Sequence, residues 1–230
     1  MFRKEEFAYF GLAAIVLGYI ISYSEFTWLG WLRGIGLGLA MIAVHVLAQK
    51  LTALRFGANL EYELWTIRRY WFFEKSYFKR PFPAWLFMPL ILVIISFGFI
   101  KWFAVLTFGA FPTTRRIQRR WYELTEWEYA LIAISGIFAN LVLAIISEFL
   151  GWHDFAILNI LFAFFNVFPF SQLNGTKIFF GSRALWVFSI ILIIAMLILL
   201  SIVNVIATAI AALALAIITV LIYYSSSERK

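Results

Sequence analysis

Apolar residues in this chain cluster into long runs, at about residues 7–23, 30–56, 84–100, 128–150, 155–168, 184–201 and 203–224. Short polar stretches rich in Lys and Arg separate them. A helix needs about 20 apolar residues to cross a hydrocarbon core, so the longer runs predict membrane-spanning helices. Only Ser201 to Asn204 part the last two runs, which therefore read either as a tight hairpin or as one overlong tilted helix.

Composition strengthens this pattern. Hydrophobic residues make up 64% and charged residues 13% of the 230, whereas a soluble domain is about half apolar and a quarter charged. The expected fold class is an all-α polytopic membrane protein of about six transmembrane helices. It is expected to form a single integral membrane domain over 1–230. There is no cysteine, which excludes disulfides and thiolate metal sites. The first run follows Arg3 and Lys4, but Glu5 and Glu6 cancel that positive start and a second run comes at once. A retained signal-anchor helix is expected rather than a cleaved leader.

The net charge of +7 sits in loops between apolar runs, where it sets orientation rather than binding nucleic acid. With the N-terminus inside, Arg33 falls outside, while Lys50, Arg55, Arg68, Arg69, Lys75, Lys79 and Arg80 fall inside. The cluster Arg115, Arg116, Arg119 and Arg120 would be stranded outside if 83–117 crossed the membrane. The conflict disappears if 83–117 dips in and returns as a short Pro-containing helix followed by a β-hairpin turning near Gly109 to Pro112, on the cytoplasmic side. Helix 128–150 then runs outward, the loop with Glu148, His153 and Asp154 lies outside, and both termini are cytoplasmic. Lys101 falls within the re-entrant stretch. The tryptophans, among them Trp28, Trp85, Trp102 and Trp152, stand mostly near helix ends, where interfacial anchoring accounts for them.

Three polar islands interrupt the apolar runs. His45-Val46-Leu47-Ala48-Gln49 lies in the second run and Ser135-Gly136-Ile137-Phe138-Ala139-Asn140 in the fourth. Asn166-Val167-Phe168-Pro169-Phe170-Ser171-Gln172-Leu173-Asn174-Gly175 closes the fifth. His45 and Gln49 are one helical turn apart and share a face. On residue type alone His45 reads as a packing histidine bonded to a neighbouring helix. Pro169 ends its helix, and Gly175 is expected to take a positive φ that brings residue 174 toward His45.

In this order the islands resemble the site-2 protease family of intramembrane zinc metalloproteases, in the minimal archaeal form without a PDZ domain. Its marks are H-E-x-x-H, G-P-x-x-N and N-x-x-P-x-x-x-L-D-G. Lys50 to Gly57 and Leu60 to Trp65 continue the likeness, which spans a core of about 28–186 and leaves 7–23 and 184–224 as extra helices. The resemblance implies zinc-ligand positions at His45, Gln49 and Asn174, a general-base position at Val46, and a substrate groove at Gly136, Asn140, Asn166 and Pro169. It also implies a membrane-associated β-hairpin that guides substrate.

The chain departs from the family where the chemistry resides. Val46 replaces the Glu, Gln49 the second His, Asn174 the Asp, and Ile137 the Pro. Neutral amides are poor zinc ligands, and a valine cannot take a proton from water. His153 and Asp154, the only other histidine and the only aspartate, are expected on the opposite side. The expectation is a catalytically inactive homologue, without cofactor, in the cell membrane. Its expected partners are lipids and transmembrane segments of other proteins. The alternatives are an active intramembrane metalloprotease holding zinc, a disabled variant of one, or a small transporter, for which Lys101 is the candidate charge. Finally, Gln49 and Asn174 are expected to hydrogen-bond one another or His45.

Overall fold

The computed structural model describes residues 3–69, 77–113, 124–200, 202 and 204–227. Among them are eight α-helices: α1 (Lys4–Ser22), α2 (Trp28–Arg55), α3 (Ala84–Ile95), α4 (Glu126–Phe149), α5 (His153–Val167), α6 (Asn174–Gly181), α7 (Arg183–Leu199) and α8 (Val205–Ser227). Four strands accompany them: β1 (Ala58–Leu64), β2 (Ile67–Arg69), β3 (Tyr77–Phe82) and β4 (Leu106–Pro112). Three helical segments, Lys4–Glu25, Trp28–Arg55 and Glu126–Phe149, are long and apolar enough to cross a membrane; α3, α5, α7 and the apolar part of α8 are shorter.

Helix ends follow local chemistry. Thr125 and Glu128 form a capping box that starts α4: the Glu128 amide donates to Thr125 Oγ1 at 3.2 Å and the Thr125 amide to Glu128 Oε2 at 2.9 Å. Thr27 caps α2 by accepting from the Gly30 amide. The expected helix 84–100 stops at Ile95 because Phe97 and Gly98 take φ of 52° and 86°. The Gly98 amide then reaches back to the Val93 carbonyl at 2.7 Å and the Phe97 amide to Ile94 at 3.1 Å, a Schellman closure. The expected run 184–224 is two helices, α7 and α8, packed against each other.

α2 and α4 form the centre. α2 packs on α1, α4 and β1, while α4 also contacts α5 and α6. α1 and α2 meet backbone to backbone: a Cβ on Gly34 would lie 2.7 Å from the Gly18 carbonyl oxygen. Only small residues allow helices to approach so closely.

The sheets modify the expected all-α architecture. β1 alternates, with Ala58, Leu60 and Tyr62 buried and Asn59 and Glu63 exposed, the period of a strand with one covered face. It pairs antiparallel with β4, Tyr62 opposite Phe108 and Leu60 opposite Ala110. β2 and β3 form a second two-stranded sheet. The Pro-containing helix after 83 is present as α3 with Pro89 inside it. The expected turn at Gly109 to Pro112 is not: these residues are strand β4, and their partner lies some fifty residues upstream in β1. The far end of that expected hairpin, Arg115, Arg116, Arg119 and Arg120, lies outside the described residues, as do Lys75, Trp71 and Trp121.

Trp102 is a core residue rather than an interfacial anchor, and Trp65 is buried beside it. Trp65 and Trp102 stack at 5.9 Å with an interplanar angle of 20°. With Ala84, Ala104 and Leu173 they form a small second core. Trp28 and Trp152, by contrast, are well exposed.

Candidate functional site

α2 buries His45, Val46 and Gln49, and His45 and Gln49 lie on the face that meets α4. The crossing point is Gly136, where a Cβ would stand 2.8 Å from His45 Cε1 and Nε2 and from Gln49 Cγ. One turn further along α4, Asn140 reaches the imidazole. Its Oδ1 lies 2.8 Å from His45 Nδ1, and its Nδ2 donates to the Met41 carbonyl and to Asn159 Oδ1, each at 3.2 Å.

Asn174 arrives from the other side. Phe168 and Pro169 leave the helical region after α5, Ser171 takes a φ of 53°, and the chain re-enters helix at Asn174. The positive φ expected at Gly175 is therefore carried by Ser171. Gly175 is helical, and its lack of a side chain lets the turn press onto the carbonyls of Val167 and Phe168, where a Cβ would collide. Asn174 Nδ2 donates to His45 Nε2 at 2.9 Å and to Asn166 Oδ1 at 3.2 Å.

Together these bonds form one directed chain. Asn159 Nδ2 donates to the Phe155 carbonyl and Asn166 Nδ2 to the Phe162 carbonyl, which fixes each amide's orientation because a carbonyl only accepts. Asn140 Oδ1 then accepts a hydrogen bond from His45 Nδ1–H, so Nε2 is bare and accepts from Asn174. The imidazole is neutral, with its hydrogen on Nδ1, and its ring stands edge-on to Phe162 at 5.3 Å. Such linked bonds polarise one another in a low-dielectric interior.

Gln49 does not join this chain. Its Nε2 donates to the Ala133 carbonyl at 3.1 Å, and its Oε1 accepts from the Tyr62 hydroxyl at 2.7 Å. Of the contacts expected among His45, Gln49 and Asn174, the one formed is His45 to Asn174. Burial, and then the nearby Glu6 carboxylate, hold the Tyr62 phenol well above its ordinary pKa, so it remains a donor. The Tyr62 backbone amide donates to Glu6 Oε1 at 3.0 Å, and Lys50 Nζ meets both Glu6 oxygens at 3.0 and 2.7 Å. Glu6 is 2% exposed. Arg3 pairs with Glu61 beside it, so the start of α1 is fastened to β1.

Between α2, β4, α5 and Asn174 lies a cavity of about 10 Å³, bordered by His45, Val46, Tyr62, Thr107, Asn166 and Asn174 among others. That is room for about one water. Asn174 Oδ1 is buried without a hydrogen-bond partner. At the rim, Lys177 donates to Thr107 Oγ1 at 3.2 Å and to the Gln172 carbonyl at 2.9 Å, and it sits 4.0 Å from the centre of the Phe108 ring. Burial pulls its ammonium down to about 7.

This donor set does not fit a zinc ion. His45 Nε2 is taken by an amide hydrogen, Gln49 Oε1 by a phenol, and the acceptor left over is one neutral amide oxygen. Among the described residues no three His, Cys, Asp or Glu side chains gather. His153 bonds Glu148 at the opposite end of α5 from Asn166. The residues expected to line a substrate groove divide. Asn166 borders the cavity, Asn140 is committed at both ends of its amide to internal bonds, Gly136 is the helix crossing, and Pro169 is exposed at the end of α5.

Sequence reasoning passed over Asn159, Tyr62 and Glu6. Asn159 and Asn166 are seven apart, two turns on one face of an apolar helix, and that spacing could have found them. Glu6 shares its buried face with Phe10, Ala13, Leu17 and Ile20, a helical period that marks it as inward-facing. No protein-family model, curated protein or solved structure matches the chain.

Proposed function

We propose that this chain is a site-2-protease-like integral membrane protein that no longer hydrolyses peptide bonds and instead binds transmembrane segments of partner proteins. The observation that carries this reading is the His45 junction. Residues from the three motif segments, 129 positions apart at the extreme, meet at one imidazole, and each position that would supply metal chemistry holds a neutral or apolar side chain. An imidazole bonded at both nitrogens to amides has no lone pair free for a metal, and among the described residues it bonds no carboxylate that could activate water.

In this reading the protein crosses the cell membrane with about six helices, both termini cytoplasmic. The β1–β4 sheet lies at the cytoplasmic side beside the former active site, and α3 rises from that side along α1 to the α1–α2 turn, where Gly98 abuts Tyr23 and Ser24, against membrane lipids. No cofactor is needed. The cavity beside His45 has room for about one water, so a partner segment enters only when β4 and the 168–173 turn part from α5.

Elemental analysis of the detergent-purified protein tests this, beside a variant carrying Val46→Glu, Gln49→His and Asn174→Asp. The native chain is expected to carry no zinc and the restored one about one per chain. Stoichiometric zinc in the native chain would overturn the inactive reading in favour of an active metalloprotease. Cross-linking to a single-span peptide in vesicles, without cleavage, is the expected sign of binding, and absence of any cross-link would remove the binding role.

A further inference from the structure

A second and larger cavity, of about 480 Å³, lies away from the His45 junction, between the α1–α2 turn, Lys101 and the first half of α5. Its volume falls within the range of sites for small molecules, about 300–1,000 Å³. Four charged side chains border it: Glu25, Arg33, Lys101 and Asp154. Two are of each sign, yet among the described residues no ion pair joins any of them; the pairs formed lie elsewhere. Lys101 makes one long hydrogen bond, 3.4 Å to the Ile21 carbonyl.

Further along the same two helix faces the lining is apolar: Leu37 follows Arg33 by one turn on α2, and Ile157 and Leu161 follow Asp154 on α5. At the rim, Gly98 abuts Tyr23 and Ser24, and the flanking Phe97 and Phe99 are 89% and 92% exposed. Trp28 and Leu29 are also strongly exposed, at 72% and 78%. Opposite charges lining one space without meeting suit a ligand that carries both charges itself, and apolar side chains at the wall and rim suit its hydrocarbon portion.

We infer that this cavity binds a phospholipid whose headgroup carries a phosphate and a primary ammonium, with Arg33 and Lys101 on the phosphate and Glu25 and Asp154 on the ammonium. The acyl chains lie over Leu37, Ile157 and Leu161 and leave past Phe97 and Phe99. Burial lowers the Lys101 pKa, and an adjacent phosphate would favour its charged form. The site is separate from the His45 junction and does not depend on the protease-like reading.

The test is native mass spectrometry of the full chain in mild detergent, offered equal amounts of phosphatidylethanolamine, phosphatidylglycerol and phosphatidylcholine with the same acyl chains. One phosphatidylethanolamine is expected to be retained in preference to either other lipid by about fivefold or more. Arg33→Gln with Lys101→Gln should reduce retention of all three lipids. Glu25→Gln with Asp154→Asn should abolish or reverse the preference over phosphatidylglycerol while lipid is still held. Equal retention of the three headgroups by the unmodified chain overturns the proposal without recourse to any variant. So does binding of water-soluble phosphoethanolamine that is as tight as binding of the lipid, which would make this a site for a soluble zwitterion.

Discussion

Asn174 Nδ2 lies 2.9 Å from His45 Nε2, an amide donor facing the nitrogen that would otherwise be free to hold a metal. The bond joins α2 to α6 across 129 positions of sequence, and its loss would strand a buried acceptor. Asn174→Leu is therefore expected to destabilise the protein by about 1–3 kcal/mol, the cost of an unsatisfied buried polar group. His45→Leu with Asn174→Leu should lose less than the sum of the two single changes. Gln49 belongs to a separate set of bonds with Tyr62 and Ala133. Asn174→Leu and Gln49→Leu should then add to within about 0.5 kcal/mol. Unfolding of the singles and doubles in detergent checks both, and coupling between Gln49 and Asn174 would contradict the network described.

Gly136 predicts a steric effect of opposite origin. A methyl there would stand 2.8 Å from His45 and Gln49, so Gly136→Ala is expected to force α2 and α4 apart at a cost of about 1–3 kcal/mol. Gly11, also within a helix, has nothing within 4 Å of its would-be Cβ. Gly11→Ala should be neutral or stabilising by up to about 1 kcal/mol, through helix propensity alone. The contrast in thermal midpoint separates helix contact from propensity.

How far the sequence discloses this arrangement differs from element to element. The long helices were legible because apolar runs and their polar ends leave little choice, and the observed α4, 126–149, starts and stops within two residues of the expected 128–150, whereas α3 ends five residues early and the short α6 falls in no apolar run. The junction at His45 was legible as an ordered set of polar islands in apolar surroundings, though not as a wiring pattern. Nothing in His45, Gln49 and Asn174 says which of the two amides would reach the ring, because that depends on the helix crossing at Gly136. The β1–β4 sheet went unread for another reason. Ala58 to Leu64 alternates plainly, but its partner is non-local, so pairing could not be inferred from a local turn signal. Gly109, which with Pro112 does look like a turn, sits inside the strand instead, and Pro112 ends it.

The contact between Glu6 and β1 predicts a local opening. Glu6 accepts from Lys50 and from the Tyr62 amide, and removing it takes this carboxylate from the Lys50 ammonium, whose side chain is 12% exposed, and the acceptor from the Tyr62 amide. Breaking such a pair by deleting one partner costs about 3–5 kcal/mol. Glu6→Ala should accordingly lower stability and speed hydrogen exchange at the Tyr62 amide more than at amides of α5. Lys50→Met with Glu6→Leu, which removes both charges, should recover much of the loss. Equal exchange rates in β1 and α5 of the Glu6→Ala protein would show that α1 does not fasten the sheet.

Lys177 carries the pH prediction. Its ammonium is drawn down to about 7 in the folded protein by burial, against an ordinary value of about 10.4 in the unfolded chain. Between those values the unfolded state binds more protons than the folded one, so this group makes stability rise with pH across the window. Below about pH 7 the lysine is charged in both states and the full cost of burying the charge is present; above the unfolded value it is neutral in both and the cost is gone. The Phe108 face and the Gln172 carbonyl oppose the shift by favouring the ammonium, which narrows the window from its lower side. Lys177→Met is expected to flatten the rise in thermal midpoint between pH 7 and 10, with the advantage of the variant over the parent greatest at the acid end. An unchanged slope in the variant would assign the pH dependence to other groups and leave Lys177 as an ordinary surface ammonium over Phe108.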